Sequence, residues 1–162
     1  MFELQAMTAA DKAGLYAELE KALRALLDGE SDFIANAANT AALLFATLPD
    51  VNWVGFYRLV GHELVLGPFQ GKPACVRIPL SRGVCGTAAA RRESVLVLDV
   101  HNFPGHIACD SASNSEIVVP LVKSGVLLGV LDLDSPKLRG FDEADQAGLE
   151  RLVAVLVAAT NS

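Results

Sequence analysis

Three cysteines, a glutamate and two aspartates are the residues of this chain whose types could carry redox and acid–base chemistry. Two of them share one polar stretch: GHIACDSASNSE, Gly105 to Glu116, sets Cys109 among small and polar residues and ends on a carboxylate. Free cysteine is among the most buried residue types, so a thiol in surroundings this polar points to reactivity. Loop N–H groups and a nearby acid suit a nucleophilic thiol that must pass a proton to its substrate. Cys85 opens the small, Ala-rich run Gly83 to Arg92, which reads as a short helix with a basic end. A thiol in the first turn of a helix is expected to have a lowered pKa. Cys75 sits beside VRIP, where a small buried hydrophobe and a reactive thiol are both open readings.

Side chains alternate along a strand, so NWVGFYRL puts Trp53, Gly55 and Tyr57 on one face and Val54 and Phe56 on the other. The two aromatics either finish the core or flank a gap as the wall of a pocket floored by glycine. In GVLDLDS the same alternation sets Asp132 beside Asp134. Two carboxylates about 7 Å apart at the end of an apolar strand either face solvent or wait for a cation, for which an ammonium group would serve well. His101, His106 and Cys109 lack the spacing of a closed zinc site, and no metal is expected. His62 falls in a turn, exposed to solvent.

These side chains need a scaffold. Helical periodicity predicts a helix from Asp11 to Asp28 and a second starting at Ser31 and Asp32 and ending before Pro49. Strands are expected at Asn52 to Val60, Glu63 to Gly67, Ala74 to Leu80, Ser94 to Val100, Ile117 to Lys123 and Val126 to Asp134. Gly61-His62 and Ser124-Gly125 are the hairpin turns. His101 to Glu116 is a polar connection long enough to suggest a purpose, and Phe141 to Ala159 reads as a final helix with an acidic start. This order predicts an α+β domain with one mostly antiparallel sheet and helices packed on one face, leaving the site to the other.

At 162 residues the chain fits a single domain spanning 1–162. An apolar fraction of 52% against 20% charged residues excludes a disordered chain, and no apolar run approaches the roughly 20 residues of a membrane span. A net charge of -6 argues against nucleic acid and anionic membranes as partners. The start MFELQAMTAADKAG lacks the basic and apolar regions of a secretory signal, so a cytoplasmic location is expected. Three cysteines without a CxxC argue against a disulfide framework, a thioredoxin-like motif and a zinc ribbon.

In chain order, NWVGFYRL, GPFQGKPAC, RGVCGTAA, DVHNFPGHIACDSASNSEIVVP and GVLDLDSP with a following FDEAD resemble the free methionine (R)-sulfoxide reductase family, which has a GAF fold. The likeness runs from Asn52 to Asp145, and the two N-terminal helices also fit. It implies reduction of free L-methionine (R)-sulfoxide to methionine, with thioredoxin as reductant and without a bound cofactor. By this resemblance Cys109 is the nucleophile, Cys75 the first resolving thiol and Cys85 a further partner. The helix-terminus argument keeps Cys85 open as the low-pKa thiol. The same resemblance makes Glu116 the proton donor, gives the substrate ammonium to Asp132 and Asp134, and makes Trp53 and Tyr57 the pocket wall. Backbone N–H groups of the loop from Pro104 to Cys109 are the candidates for its carboxylate. The second reading is a GAF-type sensor of a small molecule or of redox state, although the chain leaves no room for an output domain. Spare apolar surface on the N-terminal helix permits a homodimer.

Overall fold

The computed structural model describes residues 1–161. Its elements are α1 (Lys12–Leu26), α2 (Phe33–Thr47), β1 (Trp53–Val60), β2 (Glu63–Gly71), β3 (Arg77–Pro79), α3 (Gly83–Arg91), β4 (Val95–Val97), β5 (Ser115–Lys123), β6 (Val126–Ser135) and α4 (Glu143–Ala159). Each long helix starts at an aspartate. Asp11, Asp32 and Asp142 accept hydrogen bonds from first-turn N–H groups that have no partner inside the helix. On α4, Asp145 returns the contact to the Asp142 N–H and completes a capping box.

The six strands form one sheet in the order β3-β2-β1-β6-β5-β4, with every neighbouring pair antiparallel. One face carries Val54, Phe56, Ile117, Val119, Leu131 and Leu133, which α1, α2 and α4 cover to form the larger core. Trp53, Tyr57, Val118 and Val130 project from the opposite face into a second apolar cluster with Val84 and Ala88 of α3. The long helices thus share one face as their apolar stripes require, while the short α3 lies on the other and helps to build the cleft.

Four boundaries differ from the sequence expectation. The second strand runs on to Gly71 because Phe69 pairs with Gly55 and stacks on the Trp53 indole, with ring centroids 5.4 Å apart. The third strand keeps only Arg77–Pro79, and Cys75 precedes it: the Cys75 carbonyl accepts from the Tyr57 hydroxyl (2.9 Å) instead of joining a ladder. The fourth strand stops at Val97, and a 3-10 turn at Val100–Asn102 follows, capped by the Asp99 side chain on the His101 N–H. Glu116 lies inside β5, so the polar connection ends before it.

The contact of α1 with α4 is close. A Cβ at Gly148 would stand 2.1 Å from Cγ of the fully buried Tyr16 ring, whose hydroxyl donates to Asp145 Oδ1 at 2.8 Å. The ring cannot retreat without breaking that bond. Gly148→Ala therefore loses more to overpacking than it gains in helix propensity. A net destabilisation of about 1–3 kcal/mol is expected from urea unfolding, with a lowered midpoint. An unchanged or raised midpoint would show that the two helices part freely.

Candidate active site

The antiparallel register aligns the acids. Trp53 on β1 pairs with Asp134 on β6, Asp134 with Glu116 on β5, and Glu116 with Val97 on β4. Two residues along, on the same face, Gly55 is opposite Asp132. Three carboxylates on two adjacent strands thus share the face that α3 covers. Asp132 and Glu116 are buried and Asp134 is half-buried, so the solvated reading of the aspartate pair does not hold.

Burial and mutual repulsion set the charge state of this group. Burial, with the neighbouring Asp134 carboxylate, pushes Glu116 up to about 8. Burial and Glu116 hold Asp132 well above the usual carboxylate range, and burial and Asp132 do the same to Asp134. His106 Nε2 lies 3.0 Å from Glu116 Oε2, and burial moves the His106 pKa down. Glu116 is therefore suited to hold and deliver a proton at neutral pH.

Trp53 and Tyr57 share a face, but no gap separates them. Their rings stack with centroids 6.0 Å apart, and the indole covers Gly55, where a Cβ would meet the ring at 2.4 Å. Glycine makes room for the tryptophan and does not floor a pocket. The aromatic pair also holds the segment that carries Cys75, since the Trp53 Nε1 donates to the Lys72 carbonyl at 3.0 Å and the Tyr57 hydroxyl to that of Cys75.

The thiols occupy three different environments. Cys109 is exposed, on the loop between the 3-10 turn and β5, and its Sγ accepts from the Cys75 N–H at 3.4 Å. Burial of the sulfur and the adjoining Cys75 thiol push Cys109 up to about 12. Cys75 is half-buried. Cys85 is buried in the first turn of α3, where burial and the Asp132 and Glu116 carboxylates push its thiol well up. The lowering expected from the helix terminus is overturned, because two acids and a dry site outweigh a partial positive charge. Cys85, Glu116 and Asp132 bring their ligand-type atoms within 4.8 Å of one another. The histidines and Cys109 do not form the zinc set considered from sequence: His101 is exposed and contacts Asn114 Oδ1, whereas His106 contacts Glu116.

Together these groups line one cleft between the sheet face, the first turn of α3 and two loops. Sequence reasoning did not find several of its walls. His106 is one of them, since no short-range spacing links it to Glu116. Asn52 donates to Ser113 Oγ (3.1 Å) and Asp110 Oδ2 (3.4 Å), and Lys72 Nζ stands 3.8 Å from the same Asp110 oxygen. These contacts pin the part of the loop that follows Cys109 to the residue just before β1 and to the loop after β2. Ile107 packs on Gly83, whose positive φ of 61° and missing Cβ admit it.

The fold and this cleft define a GAF-domain protein with a thiol and carboxylate site: a family model described as GAF domain matches residues 17–160. The chain is 56% identical over 146 residues to the free methionine-R-sulfoxide reductase of Escherichia coli K12, covering 90% of this chain and 88% of that protein. It is 41% identical to the protein of the same name from Saccharomyces cerevisiae, covering 90% and 86%. The free methionine-R-sulfoxide reductase of Neisseria meningitidis, solved in complex with its substrate, superposes with a TM-score of 0.94 at 48% identity over 98% of this chain and 95% of that one. The chain belongs to the free methionine-R-sulfoxide reductase family.

A raised carboxyl pKa makes a prediction for stability. Glu116 moves from 4.5 to about 8 on folding, so the folded state holds the proton more tightly. Its contribution is fully present below pH 4.5 and is lost as pH rises through about 8. Urea midpoints of the substrate-free protein should fall between pH 5 and pH 8, and Glu116→Gln, which cannot ionise, should fall less. Parallel curves for parent and variant would remove the buried-acid assignment.

Proposed function

We infer that this chain reduces free L-methionine (R)-sulfoxide to L-methionine, the activity for which its relatives are named, with Cys109 as the attacking thiol. One observation carries the reading: an exposed thiol stands at a cleft whose inner wall is a row of proton-holding carboxylates, and its sulfur accepts a hydrogen bond from the backbone N–H of a second cysteine. Cys109 takes the oxygen of the sulfoxide. An S–O bond forms on the cysteine, the S–O bond of the substrate breaks, and two electrons pass from the cysteine sulfur to the substrate sulfur. Glu116 gives its proton to the departing oxygen, and the thiol proton replaces it. Methionine and a Cys109 sulfenic acid result.

Cys75 condenses with the sulfenic acid, releasing water and leaving a Cys75–Cys109 disulfide. A dithiol protein of the thioredoxin type reopens it by exchange and carries away the electron deficit. Cys85 stands behind them as a further disulfide partner. Asp132 and Asp134 take the substrate ammonium, which offsets the repulsion within the acidic row. The stacked Trp53 and Tyr57 wall the methyl end, and loop N–H groups up to Cys109 take the carboxylate. This thiol cycle needs a reducing compartment, and we assign it to the cytoplasm.

Single-turnover assays on the reduced protein test the roles. Cys109→Ser is expected to form no methionine, whereas Cys75→Ser forms it once but cycles with thioredoxin more slowly than the parent, through Cys85 alone. Methionine from Cys109→Ser at the parental rate would transfer the attack to another thiol. Glu116→Gln should bind substrate while forming methionine about 10²–10⁴-fold more slowly. Equal rates would remove Glu116 as the acid.

A further inference from the structure

We propose that the reduced, substrate-free cleft binds one zinc ion through Cys85 Sγ and one oxygen each of Glu116 and Asp132, and that the bound ion excludes the substrate. The three ligand atoms lie within 4.8 Å of one another on buried side chains of α3, β5 and β6. A thiolate with two carboxylates is a donor set zinc accepts, and three protein ligands leave a fourth position for water.

Two further observations point to a cation here. Asp132 Oδ1 is buried and accepts no hydrogen bond, so its desolvation is not offset by any protein donor. Among the described residues no lysine or arginine comes within ion-pair distance of Glu116, Asp132 or Asp134, and Lys72 at the rim reaches Asp110 instead. An outer shell is already present. His106 Nε2, 3.0 Å from Glu116 Oε2, orients that carboxylate from the side of the loop, as partners of metal ligands commonly do. Cys75 and Cys109 lie outside the trio, so the site leaves the attacking thiol and its first disulfide partner free.

Binding is a coordination step without electron transfer: as the Zn–S bond forms, the Cys85 proton leaves to solvent. Zinc occupancy then competes with the substrate ammonium for Asp132, a competition that rests on the proposed reductase reading. The site itself does not.

Cobalt(II) titrated into the reduced full-length protein is the probe, because a thiolate ligand gives it a charge-transfer absorption band. One cobalt per chain is expected, displaced by one equivalent of zinc. The band should vanish in Cys85→Ser and persist in Cys75→Ser. In Asp132→Asn, which leaves the thiol in place, affinity should drop by more than about tenfold. In Cys109→Ser, which retains all three ligands, L-methionine (R)-sulfoxide should release the metal. A parent protein without the band would overturn the site, as would a band that survives Cys85→Ser and disappears in Cys75→Ser. Retention of cobalt at saturating sulfoxide would overturn the exclusion. Turnover of the parent with a chelator present is measured separately, so a failed reductase reading leaves the metal result standing.

Discussion

The burial of Glu116 beside Asp134 and Asp132 is the constraint on which the site depends. Adjacent antiparallel strands set directly opposed side chains about 5 Å apart, a separation at which two charged carboxylates in a dry place repel strongly. The protein meets this by keeping protons on the row rather than by supplying cations: Glu116 is held up to about 8 and both aspartates are raised. The acidity that the proposed reaction draws on is thus a consequence of the sheet register. A shift of one residue between β5 and β6 would turn Glu116 toward the helices and dissolve the site.

The thiols are placed by a different device. Cys75 and Cys109 sit on loops outside the sheet ladder, while Cys85 is buried in the first turn of α3. The loops are nonetheless tied down. Tyr57 and Trp53 hold the Cys75 segment through its carbonyls, and Asn52 and Lys72 hold the Cys109 loop through Asp110 and Ser113. Strand β1 and the residue just before it therefore hold both sulfur-bearing segments near the carboxylates of β5 and β6, with Lys72 adding a contact from the loop after β2. That arrangement gives a small cleft walled by aromatics on one side and acids on the other, with its thiol at the opening.

Much of this scaffold was legible in the chain. Aspartate caps and apolar periodicity located the three long helices, and alternation put Trp53 with Tyr57 and Asp132 with Asp134 on shared faces. Both are short-range properties, set by 3.6- and 2-residue periods. What failed were inferences that needed the surroundings of a residue. The helix-terminus argument for Cys85 is sound for an isolated helix, but Asp132 and Glu116 arrive from β6 and β5 and reverse its sign. Strand alternation makes Gly55 a candidate pocket floor, but the Trp53 ring lies on it.

The sequence by itself determined which residues could do chemistry and, through its ordered motifs, the family to which the chain belongs. It also determined the element types, because backbone propensity and side-chain period are local. Only the tertiary structure decided the charge states and partnerships: the raised acids, the contact of His106 with Glu116, and the meeting of Cys85 with two carboxylates from other strands. Those depend on desolvation and on distances of a few ångströms between groups far apart in the chain, which exist only once the sheet and α3 have closed over them.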